Sequence, residues 1–196
     1  MKNIILFLFC FTSTYAQKDV AAAEKFQSEL NKSYADSLKS PLMKDDLKQF
    51  KGLDFYPIDE KYIVEATFIR TKKEKPFGMK TTTSRTPLYK KYGELYFEID
   101  GKAFKLNVYQ NVDLNKKPGY EDYLFLPFSD LTCGKESYIG GRYVDMKIQK
   151  GKTWTIDFNK AYNPYCAYNY EYSCPIVPLE NDLNIEILAG VKKFHD

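Results

Sequence analysis

Side chains able to handle a proton or grip a polar ligand gather in the last third of the chain. Asp130 and Thr132 precede a glycine-containing turn, Tyr138 and Arg142 follow it, and Asp157, Asn159, Tyr162 and Asn163 come after one further pair of strand-like segments. Arginine offers five donors in a planar fork that matches a carboxylate, and asparagine both donates and accepts. Two acids open to one cleft can divide the work of general acid and general base. The same arginine and acids can equally serve only to tie a loop to a sheet, which is the commoner use of such pairs. Other chemistry is excluded more firmly. The single histidine, His195, stands next to the C-terminus, so a histidine triad or a histidine-rich metal site is not expected. Cys133, Cys166 and Cys174 lack the close paired spacing of structural zinc ligands. Neither a glycine-rich phosphate loop nor an acidic calcium loop is present, so no metal and no cofactor are expected.

The polar residues border a segment unlike the rest. From Phe158 to Asn181 strand-like alternation disappears, and five tyrosines, three prolines, Cys166 and Cys174 crowd together. A long ordered connection of this kind is functional more often than a short one. Tyrosine rings are also ordinary packing material, so the segment may be read as a plug on the open end of a sheet or as a binding surface.

Two kinds of element must position these residues. Ala23, Phe26, Leu30, Tyr34 and Leu38 recur at three- and four-residue spacing, which predicts an amphipathic helix over residues 19–38. A shorter helix is predicted from Ser40 and Pro41 to Gly52. After Gly52 the period becomes 2. Residues 62–69 read as a strand, and Leu95, Phe97 and Ile99 run through Asp100-Gly101 into Phe104, Leu106 and Val108, a two-residue hairpin with Phe97 opposite Phe104. A second hairpin through Gln149-Lys150-Gly151 would pair Met146 with Trp154 and Val144 with Ile156. In that register Arg142 falls opposite Phe158 and Asp157 opposite Tyr143, which draws Arg142, Asp157, Asn159 and Asn163 into one cluster. Further strands are expected at 77–83, 123–128 and 183–189. The fold expected is mainly β with a short N-terminal helical segment, an antiparallel β-sandwich or barrel.

Composition limits the partners. Lys2, the apolar run Ile4–Phe11 and the ending Thr14-Tyr15-Ala16 form a signal peptide over residues 1–16. Its apolar run is too short to span a bilayer. A lipoprotein signal using Cys10 is disfavoured by the bulky Phe9. Residues 17–52 then form the helical segment and 53–196 a single β-rich domain, exported to the periplasm or beyond. The chain has 29 Lys and Arg against 26 Asp and Glu. Its signs are interspersed, which gives no footprint for nucleic acid and no polybasic membrane patch. Export would leave three cysteines where disulfides persist, so at most one internal pair forms. Cys166 and Cys174, close in sequence, are favoured over the other arrangements. Their bond would stabilise the fold by about 2.5 kcal/mol in the chain-entropy model.

Longer motifs follow one another in the C-terminal half: Phe128-Ser129-Asp130-Leu131-Thr132, Gly134, Tyr138, Gly140-Gly141-Arg142-Tyr143, Asp157-Phe158-Asn159-Lys160-Ala161-Tyr162-Asn163-Pro164, Cys166-Ala167, Cys174-Pro175, Asn181 and Ala189-Gly190. This series resembles domain of unknown function 1684, a bacterial family, most strongly from Tyr120 to Val191. The resemblance implies no established activity, substrate or cofactor. It implies that Cys133, standing where the family usually has another polar residue, is the odd thiol, and that Cys166 and Cys174 belong to the family pattern. Two functions are therefore carried forward. One is a noncatalytic envelope module holding a small polar ligand or an envelope protein against tyrosine rings. The other is a hydrolase or lyase using Asp130 and Asp157.

Overall fold

The structure is a computed structural model that describes residues 19–195; the expected signal peptide lies outside them. Helix α1, Val20–Ala35, is capped by the Asp19 carboxylate, which accepts from the Ala22 amide at 3.0 Å. It buries Ala23 and Tyr34 as its spacing predicts. It ends three residues earlier than expected, because Asp36 turns the chain: its carboxylate accepts from the Leu38 amide and its carbonyl from the Lys39 and Ser40 amides. Leu38 is left exposed. Helix α2 is also shorter than expected, Lys44–Gln49, since the Ser40 hydroxyl is spent on the Leu42 amide in a turn before it.

Eight strands follow, β1 Ile63–Arg70, β2 Phe77–Gly78, β3 Leu88–Ile99, β4 Lys102–Asn111, β5 Tyr123–Asp130, β6 Arg142–Lys147, β7 Thr153–Asp157 and β8 Asp182–Leu183. Six of them form a strongly curled half-barrel in the order β6-β5-β4-β3-β1-β7, with β2 on β3 and β8 parallel to β5. The hairpin from β3 to β4 has the expected register, Phe97 opposite Phe104 and Leu95 opposite Leu106. Asp100 and Gly101 both take positive φ, 52° and 71°, as its two-residue turn requires. The expected strands at 77–83 and 183–189 shrink to two residues each.

The second expected hairpin does not form. β6 pairs with β5, Leu126 opposite Val144 and Leu124 opposite Met146, whereas β7 pairs with β1, Val64 opposite Ile156 and Ala66 opposite Trp154. β6 and β7 are the two ends of the sheet, consecutive in sequence but sharing no ladder. Their alternation gave the correct inward faces, because both strands face the same core. A period of 2 names a face and leaves the partner open.

That core contains Val64, Leu95, Phe97, Leu106, Val108, Leu124, Leu126, Phe128, Val144, Trp154, Ile156 and Phe158. Trp154 stacks on Phe68 with ring centroids 3.7 Å apart and planes 10° from parallel. Between β4 and β5 the ladder is reduced to Tyr109 opposite Phe125. Asn181 bridges these strands, accepting from the Asn107 amide at 2.9 Å and donating to the Asn107 and Pro127 carbonyls at 2.8 and 2.6 Å. A second layer of side chains covers the other face of the sheet, with Met79, Tyr89, Tyr109, Phe125 and Tyr143 buried there and Tyr123, Tyr162 and Val177 packed around them.

Trp154→Ala should cost about 3–5 kcal/mol, the usual loss for a large aromatic removed from a core. Urea unfolding should show it as a lowered midpoint at unchanged slope.

Candidate functional site

The polar residues singled out by sequence separate into three groups. Arg142 opens β6, and its side chain has no exposed surface. A guanidinium keeps its charge in such a place only if it is paired with an acid and hydrogen-bonded. Nη2 meets Asp130 Oδ2 at 2.5 Å and donates to the Ile187 carbonyl at 2.9 Å, while Nη1 donates to the carbonyls of Ala189 and Val191. Oδ1 of Asp130 accepts from the Thr132 amide at 2.7 Å and from its hydroxyl, and Thr132 also contacts Ser137. Asp130, Thr132 and Arg142 therefore clamp the C-terminal tail to β5 and β6. Asp130 opens to no cleft.

Asp157 is not Arg142's partner, contrary to the expected cluster. Its Oδ1 accepts from the backbone and side-chain amides of Asn159 at 3.1 and 3.0 Å, and Lys160 stands 3.3 Å from Oδ2. Asn159 reaches Asp59 in both directions at 3.0 Å, and its carbonyl accepts from Gln27 of α1 at 3.0 Å. Asn163 donates to the Lys192 carbonyl at 2.9 Å. The cause is the strand pairing: once β7 runs beside β1 rather than β6, Asp157 is drawn toward Ile63, its partner in that ladder. Asp130 and Asp157 consequently serve different segments.

Tyr138 and Tyr162 mark the third group, the tyrosine-rich segment. The Tyr138 hydroxyl lies 3.8 Å from Cys166 Sγ. Cys133, Cys166 and Cys174 are all free thiols. The Cys166 amide donates to Cys174 Sγ at 3.2 Å, so the expected pair is adjacent though not bonded. Tyr162 exchanges backbone hydrogen bonds of 2.9 and 3.0 Å with Tyr143, which lays the start of the segment along the free edge of β6.

That placement creates a site the sequence reading did not find. Asp145, between the inward-facing Val144 and Met146, projects from the opposite face of β6 and is exposed. Its Oδ1 accepts from the Tyr123 hydroxyl at 2.7 Å and from the Tyr162 hydroxyl at 2.6 Å. No donor among the described residues bonds Oδ2. Phe125 lies opposite Asp145 in the ladder, with the Tyr143 ring 4.7 Å from Phe125 and 5.9 Å from Tyr162, and Phe26 of α1 6.4 Å from Tyr162. The carboxyl pKa is nevertheless raised, because the protein massed around it desolvates the charge by more than the two tyrosine bonds recover. Desolvation first and the charge of Asp145 next push the Tyr123 and Tyr162 hydroxyls well up, so both remain protonated donors.

The outward direction of Asp145 was legible from alternation. What it meets was not, since Tyr123 comes from the neighbouring strand and Tyr162 from seventeen residues onward.

The chain matches a family model described as "Protein of unknown function (DUF1684)" over residues 48–192. Five chains of known structure match. Among them is the solution NMR structure of an uncharacterized protein of Haloarcula marismortui, 30% identical, covering 88% of this chain and 92% of that one with a TM-score of 0.69. No curated protein matches.

Two outcomes follow from the geometry. Arg142→Ala strands the Asp130 carboxylate without its cation and should destabilise the fold by about 3–5 kcal/mol, read from the urea midpoint. Asp145→Asn should do the reverse. A carboxyl whose folded pKa lies above its unfolded value binds more protons folded than unfolded, so stability falls as pH rises from about 3.8 through the folded pKa. The asparagine variant should melt higher than wild type at pH 7, and the two should converge below the unfolded pKa.

Proposed function

Since the chain belongs to the DUF1684 family, we propose that it is an exported, noncatalytic binding module that holds a small polar ligand at Asp145. The observation that carries this reading is an exposed aspartate with one carboxylate oxygen fixed by two tyrosine hydroxyls and no donor among the described residues bonding the other. Fixing Oδ1 orients Oδ2 without neutralising it, so it can accept from an amine or hydroxyl of a ligand whose body rests on tyrosine faces. A charge kept in a desolvated position costs stability, and binding sites are often maintained at that kind of cost.

In this reading the buried polar groups support the site. Asp130, Thr132 and Arg142 fix the tail, while Asp157, Asn159 and Asn163 fix the segment that delivers Tyr162. The hydrolase alternative asks for Asp130 in an open cleft beside Asp157, and the full burial of Asp130 speaks against it. Export rests on the N-terminal charge, apolar run and Ala16. Oxidation of Cys166 and Cys174 to a disulfide after export belongs to the same reading.

The binding test is a panel of simple primary amines and monosaccharides, followed by NMR shift changes at Tyr123, Asp145 and Tyr162. Shifts centred on these residues and abolished by Asp145→Ala are expected. Changes confined to other surfaces, or none with either class, reject the site. For export, the protein recovered from the cell envelope or medium should begin at Gln17; a cytoplasmic protein retaining Met1–Ala16 rejects that half of the proposal.

A further inference from the structure

Cys166 and Cys174 are eight positions apart, with Pro164 two residues before the first and Pro175 directly after the second, bridged to Thr81. Their environments are unequal. Cys174 is buried, its amide donating to the Thr82 hydroxyl at 3.1 Å and its carbonyl accepting from the Thr82 amide at 2.9 Å. Cys166 is half-buried, with the Tyr138 hydroxyl at 3.8 Å and the Cys166 amide directed at Cys174 Sγ. Tyr138, its contact, and Ala167, its chain neighbour, both line a recess of about 270 Å³ that Ile139 and Phe194 help to form. A half-buried cysteine beside a buried one is the arrangement of an attacking thiol and a resolving thiol.

We propose that Cys166 and Cys174 form a thiol–disulfide exchange site for a low-molecular-weight disulfide, Cys166 attacking and Cys174 resolving. This goes beyond the binding role, because the bond between these sulfurs is then made and broken in use. The electrostatics agree with the geometry. The hydrogen bond from the Cys174 thiol, with lesser help from Tyr138, holds Cys166 well below the usual thiol range, and that same bond together with burial drives Cys174 up. Negative charge settles on the less buried of the two cysteines, and the thiolate is the nucleophile.

The reaction balances with the substrate alone. The Cys166 thiolate attacks one sulfur of RS–SR, that bond breaks, and RS⁻ leaves to take a proton from water, giving a Cys166–SR mixed disulfide. Cys174 then gives up its proton to solvent and attacks Cys166 Sγ. The second RS⁻ departs, and the Cys166–Cys174 bond closes. Two protein thiols are oxidised and one disulfide becomes two thiols; excess RSH runs the same steps backward.

Oxidised glutathione is the probe, with acid quenching and mass mapping of the reduced full-length mature protein. Cys174→Ser should accumulate a glutathione adduct on Cys166, whereas Cys166→Ser should react at Cys174 at least about tenfold more slowly. Wild type should instead close the internal bond and reopen it in excess reduced glutathione. Its alkylation by iodoacetamide supplies a readout independent of either variant's folding, since Cys166 should react with a midpoint near pH 6. Equal rates at the two cysteines, an adduct confined to Cys133, or an alkylation midpoint at the ordinary thiol value overturns the proposal. So does an internal bond that reduced glutathione leaves intact, which identifies a fixed staple.

Discussion

A guanidinium with no exposed surface must find its partners inside the protein, as Arg142 does. Asp130 neutralises Arg142, but one carboxylate oxygen occupies only part of the donor fork. The carbonyls of Ile187, Ala189 and Val191 take further donors of Nη1 and Nη2, leaving Nε without a hydrogen bond, and a carbonyl can do so only if its chain is held still. The irregular tail after β8 thereby acquires a fixed path without forming a strand of useful length. Gly190 lies in the middle of that path with φ 76°, where a Cβ would come within 2.6 Å of the Ala161 carbonyl oxygen. The Val191 amide donates to that same carbonyl. Charge satisfaction at Arg142 and close backbone approach at Gly190 are one constraint expressed twice.

From that clamp the tyrosine-rich segment inherits its position. Ala161 is held by Val191, Asn163 by the Lys192 carbonyl, and Tyr162 between them is left to pair with the edge of β6. Its hydroxyl then has one destination, the carboxylate of Asp145. A sheet edge that would otherwise expose unpaired backbone is covered, and the cover brings a ring and a donor to the outward face. The half-barrel thus has two chemically different sides, an apolar interior packed by alternating strands and an outer aromatic layer with a charge in it.

The same segment also brings Cys166 and Cys174 together, beside Thr82 and Tyr138 and near β6, whose Tyr143 hydroxyl donates to the Pro175 carbonyl next to Cys174. Both features depend on one stretch of chain. No helix among the described residues is long and apolar enough to cross a membrane.

Sequence alone determined the features that depend on near neighbours. The turn at Asp100-Gly101 and its register follow from two residues that accept positive φ between strands of matching alternation, and the amphipathic face of α1 follows from spacing. The inward faces of β6 and β7 were equally legible, as was a distinct segment from Phe158 onward. Tertiary structure decided which strands pair. Val144 and Ile156 point into one core whether or not their strands touch, so alternation is silent on β6 meeting β5 and β7 meeting β1. Every error at the polar residues descends from that silence: Arg142 was assigned Asp157 where it holds Asp130, and Asp145 drew no attention because Tyr123 and Tyr162 reach it only after the sheet has curled. A side chain's direction is set by its own backbone, whereas its partner is set by loop closure and core packing summed over the whole chain.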